Sequence, residues 1–113
     1  MAYGGGWSYA PPAGGLVNTS GVTIKAAAGA NRINYVTSLG ISNSHATIGT
    51  EVVIRDGANG PVLWRIWISA QHEITRNFVP PLAGSANTLL EIAEITQTAT
   101  TGVLVNVSGI SGN

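Results

Sequence analysis

The chain has 113 residues, of which only 9% are Asp, Glu, Lys or Arg, with five of each sign and a net charge of zero. That leaves no basic stripe for nucleic acid and no run near the roughly 20 apolar residues of a membrane span. The absence of cysteine excludes disulfide frameworks and thiolate chemistry.

A typical globular domain carries roughly 25% charged residues. A surface this poor in charge, on a chain without net charge, favours association. The composition therefore points to a protein whose surface is largely covered by other protein. The amino terminus has neither the basic nor the apolar region of a signal peptide, and the absence of cysteine suits synthesis in a host cytoplasm, as it equally suits a particle assembled there and later released.

Residues 1–21 read as a separate extended arm, with residues 22–113 as the folded domain. Gly4-Gly5-Gly6 and Gly14-Gly15 are flexible and Pro11-Pro12 is stiff. Tyr3, Trp7 and Tyr9 are unlike the residues of a disordered tail. Either these rings cap the chain's own domain, or they anchor the arm on a neighbouring subunit. The second alternative requires the arm to order only in an assembly.

From Gly21 onward the hydrophobic period is two, as in half-buried strands. Ile33, Tyr35, Leu39 and Ile41 are expected on one face, with Asn34, Ser38 and Ser42 on the other. Residues 50–55 are a β-branched run ended by Asp56-Gly57, and residues 56–61 (DGANGP) hold two turn dipeptides. A β-hairpin of 50–55 against 62–69 follows. Its loop is expected to accept insertions, whereas Ile54 and Val62, read as inward, should not accept Asp.

Within that second strand Val62, Trp64, Ile66 and Ile68 share one face, and Leu63, Arg65, Trp67, Ser69 and Gln71 the other. Residues 86–96 suit a short helix or a strand, and the all-β surroundings favour the strand. Val103, Val105 and Val107 alternate with Leu104, Asn106 and Ser108. The pattern predicts an all-β, antiparallel two-sheet sandwich of jelly-roll or immunoglobulin-like kind, tilted toward the jelly roll by the missing Cys…Trp…Cys spacing, with a core of Val, Ile, Leu and Ala and an extended N-terminal arm.

The sequence offers little chemistry. His45 lies in a polar turn, and His72 has a neighbouring carboxylate that a strand would turn to the opposite face. Neither histidine has metal-ligand company. Glu91 and Glu94, three apart on a strand, face opposite ways and make no glycosidase dyad. No catalytic residue, cofactor or metal is expected. Trp64 and Trp67, also three apart, cannot both point inward. With Trp64 inside, Trp67 stands outside beside Arg65, covered by a loop of the same chain or serving as a contact surface. Trp and Arg are enriched in interfaces, so Tyr3, Trp7, Tyr9, Arg65 and Trp67 are the interface candidates.

The strings NYVTSLGISNSHATIGTEVVIRDG, VLWR and FVPPLAGSANTLL resemble a group of small tailed-phage proteins of unknown or virion-structural role, over residues 31–108. In size, β pattern and low charge the chain is also similar to capsid cement (decoration) proteins of short-tailed phages. Those proteins have jelly-roll folds and clamp neighbouring major-capsid subunits. The resemblance implies a non-enzymatic virion protein on the outer capsid surface. Its implied partners are the major capsid protein and a second or third copy of itself, with neither nucleic acid nor membrane. A glycan- or receptor-binding module of a tail or head fibre is the alternative, and a small enzyme a more distant one.

Overall fold

A computed structural model describes residues 3–9, 21–94 and 103–112. Among these there is no helix. Eight strands are present: β1 (Tyr3–Tyr9), β2 (Val22–Lys25), β3 (Ile33–Asn43), β4 (Thr50–Asp56), β5 (Val62–Ile68), β6 (His72–Ala86), β7 (Leu90–Glu94) and β8 (Val103–Gly112).

The pairing is nested: β1 lies against β8, β2 against β7, β3 against β6 and β4 against β5, all antiparallel. The chain thus doubles back as one long ribbon whose bend is the β4–β5 hairpin. The ribbon is then rolled, which adds β3 against β8 and β4 against β7. Two four-stranded sheets result, a first of order β1-β8-β3-β6 and a second of order β2-β7-β4-β5. This is the eight-strand jelly roll, the fold that the sequence pattern predicts.

The core between the sheets is aliphatic, as expected from the composition. Val36, Leu39 and Ile41 of β3 and Val103, Val105 and Val107 of β8 meet Val52, Ile54, Ile68, Leu90 and Ile92 of the second sheet. Trp64 points inward and meets Phe78 of β6 edge-on, ring centroids 5.5 Å apart at 87°. That contact closes the sandwich where the edge strands β5 and β6 approach.

Of the register shifts in the ladders, two correct an expected face. On β3, Thr37 is an extra residue between the pairs Val36–Gly109 and Ser38–Ser108. A bulge reverses which residues face inward. Leu39 and Ile41 are therefore core as expected, but before the bulge Asn34 and Val36 are buried, and Ile33 and Tyr35 are not core residues. Asn34 is satisfied in the interior: its Nδ2 donates to the Ala26 carbonyl at 2.9 Å, and its Oδ1 accepts from Ser111 Oγ at 2.6 Å.

On β5, Leu63 is the extra residue between Ile54–Trp64 and Arg55–Val62. Leu63 consequently packs against the core. Val62, expected inward, sits opposite Arg55 and is 39% exposed.

Residues 3–9, read as the start of an arm, form the edge strand of the chain's own first sheet. Trp7 and Tyr9 pack against the chain's own core. Trp7 lies opposite Gly109, where a Cβ would come within 2.4 Å of the indole. Only glycine leaves room there. Residues 1–2 and 10–20 of the expected arm lie outside the described residues.

The hairpin turn is also less free than expected. Gly57 N donates to the Leu89 carbonyl (2.9 Å) and Asp56 N to the Pro61 carbonyl (2.9 Å). Asp56 accepts from the Ser85 amide at 2.9 Å and from the Ser85 hydroxyl, which ties the hairpin to β6 of the opposite sheet. These bonds anchor the base of the turn, at Asp56, Gly57 and Pro61.

Candidate interaction surface

The two outward faces differ in chemistry. Register on the second sheet sets the outward residues in rows: Thr23–Glu91–Arg55 with Val62, Ala93–Val53–Arg65, and Glu51–Trp67. Arg55 Nη1 lies 3.0 Å from Glu91 Oε1, with both side chains mostly out of solvent. Glu91 Oε1 also accepts from the Asn59 amide at 3.2 Å. Gly21 covers the carboxylate so closely that a Cβ there would lie 1.9 Å from it. Arg65 reaches Glu51 at 3.7 Å across the neighbouring rows. Val53 and Ala93, although on this outer face, are each only 1% exposed.

Trp67 is 57% exposed. Its ring stands over Gly49 of the β3–β4 loop, where a Cβ would approach the indole to 2.6 Å. The loop therefore supports the ring from beneath without covering it. Asn43 organises that loop: its Nδ2 donates to the Ile48 carbonyl (3.0 Å) and its Oδ1 accepts from the His45 amide (3.0 Å). Both backbone amides of Thr47 and Ile48 donate to His45 Nδ1, at 3.1 and 2.9 Å.

The other histidine is also committed to its own loop, with His72 Nδ1 2.8 Å from the Ala70 carbonyl. Among the described residues no three His, Cys, Asp or Glu side chains group as metal ligands, and no helix is long and apolar enough to cross a membrane.

Of the interface candidates, the structure brings Arg65 and Trp67 to one outer face and sends Trp7 and Tyr9 inward. The side chain of Tyr3 is outside what the structure describes. The Arg55–Glu91 pair was not visible in the sequence, since its members are 36 residues apart. The outward parity of Arg55 beside Glu51 was the available hint.

No known family model and no curated protein matches the sequence. Among solved structures the chain is similar to the Tobacco streak virus coat protein in its C2 crystal form, with 11% identity and a TM-score of 0.54, covering 100% of this chain and 89% of that one. The dimer structure of the same coat protein is similar at 12% identity and TM-score 0.54, over 94% of this chain and 82% of that one. At such identity the likeness is one of fold. The chain shares the jelly-roll fold of that coat protein.

Proposed function

We propose that the protein is a structural component of a virus particle that attaches to the outside of an assembled shell and reinforces contacts between its major subunits. The observation that carries this reading is Trp67, 57% exposed on β5, set on Gly49 and on the same face as Arg65. A fixed aromatic beside an arginine is the common anchor of a protein interface. The charges around it already neutralise one another within the chain, so covering the face does not strand a lone charge. The capsid-type fold, the low charge and the resemblance to cement proteins support the same reading. A chain with five cations and five anions is poorly suited to lining a nucleic acid interior.

A clip that binds only the assembled shell adds its binding free energy to the assembled state. Many copies, or a dimer bridging two subunits, make the attachment long-lived. The test is co-sedimentation with assembled shells, with unassembled shell subunits in parallel and a glycan array alongside. Binding to shells and not to free subunits is expected. Glycan binding without shell binding would favour a receptor-binding module of a fibre, where an exposed Trp stacks on sugar.

A further inference from the structure

We infer that a cationic pocket at the β1 edge takes a carboxylate side chain from an extended segment of a protein partner. The pocket has a volume of about 310 Å³ and is lined by Gly6 and Trp7 of β1, Lys25, Ala27, Ala28, Arg32 and Ser111. Two independent observations meet there. Among the described residues, the buried side-chain nitrogens and oxygens without a hydrogen-bond partner are Trp7 Nε1 and Arg32 Nε, and both of these residues line the pocket. Buried donors are nearly always satisfied, so the wall of this pocket holds two donors to spare, within a side-chain movement of an acceptor bound there.

The second observation is charge. Arg55 and Arg65 are ion-paired within the chain, but Lys25 and Arg32 form no ion pair among the described residues. Two of the five cations of a neutral chain thus line one pocket without an ion-pair partner among the described residues. An indole N–H, a guanidinium and an ammonium together suit an oxyanion.

The position of the pocket favours a peptide as the source. β1 has β8 on one side and no strand on the other among the described residues. An extended segment that adds to that free edge would place alternate side chains beside the pocket. This inference extends the shell-binding reading to a second contact, away from Trp67.

The experiment follows the three indole N–H resonances of the ¹⁵N-labelled full chain, with Trp7→Phe assigning the Trp7 peak. The probes are a capped five-residue peptide with a central aspartate, its asparagine counterpart, glucuronate and inorganic phosphate. A saturable shift of the Trp7 indole with the aspartate peptide alone is expected. Lys25→Gln and Arg32→Lys should each weaken it about tenfold, while the Trp64 and Trp67 resonances and the β-sheet spectrum stay unchanged. Arg32→Lys keeps the charge but removes the Nε donor, so its effect separates a fitted fork from general attraction. Equal binding of the asparagine peptide, or no shift at tens of millimolar, would overturn the site. Stronger binding of glucuronate or phosphate would overturn the peptide assignment. Shell co-sedimentation by a Trp67→Ala variant reads the other surface, so the two proposals fail separately.

Discussion

The outer face of the second sheet and the outer face of the first are built from the same strand geometry and opposite chemistry. On the second, Arg55, Glu91, Arg65 and Glu51 are paired with one another around an exposed Trp67. On the first, register aligns Asn106–Gly40–Thr75 and Ser108–Ser38–Asn77, with Glu73 the one charge in the next row beside Ser42 and Leu104. Small neutral side chains fill most of these rows, with Leu104, 42% exposed, the large apolar group among them, so this part of the face is cheap to leave in water and offers no ring beside a cation. The second face carries a rigid apolar anchor and charges whose partners lie within the chain, so it loses less on being covered. The edges of the first sheet differ as well. β6 presents Pro80 and Pro81, with Val79 92% exposed between ladder segments, and prolines at an edge discourage strand addition. β1, at the opposite edge, has no such block among its described residues.

The largest effect is expected where the comparison does not apply, in the shared core. Ile54→Asp puts an unpaired carboxylate into a fully buried position and should cost at least about 4 kcal/mol, giving no cooperative thermal transition. Val62→Asp, displaced outward by the bulge at Leu63, should change stability by no more than about 0.5 kcal/mol. Equal damage from both would mean that the bulge is absent.

Next in size is the paired charge of the second face. Glu91→Gln leaves Arg55 without its counter-ion and should cost about 3 kcal/mol in urea unfolding. The double variant Arg55→Met with Glu91→Leu should recover much of that loss, because a buried pair can be replaced by apolar groups more readily than broken. If the single and double variants were equally destabilised, the ion pair would not be what holds the row.

Gly109→Ala pushes a methyl against the Trp7 ring and the Tyr35 carbonyl and should cost about 2 kcal/mol, read as a lower melting temperature and faster hydrogen exchange in β1 than in β4. Smallest of all, Asn106→Lys on the first face should leave stability within about 0.5 kcal/mol of the parent.

The architecture was legible because the strand signal is strong where one side is buried: Val103, Val105 and Val107 alternate without interruption, and all three are core. Bulges were not legible. Thr37 and Leu63 are ordinary strand residues, and nothing local says that one of them is left unpaired. Hence simple alternation puts Tyr35 on the face of Leu39 and Ile41, and Val62 inward. The role of residues 3–9 was hidden for a different reason: three consecutive glycines read as a flexible linker, whereas Gly6 is a paired strand residue opposite Ile110. The Trp67 surface could be found because an alternating strand must send one of two tryptophans three apart outward. The pocket at Lys25 and Arg32 could not, since it gathers residues from four separate segments.

The most direct test compares the two faces in one assay: the affinity of the parent, Trp67→Ala and Asn106→Lys chains for assembled shells. Trp67→Ala should fold normally and bind at least about tenfold more weakly, about 1.4 kcal/mol, while Asn106→Lys binds like the parent. Full binding by Trp67→Ala together with a loss in Asn106→Lys would place the contact on the first sheet and contradict the account.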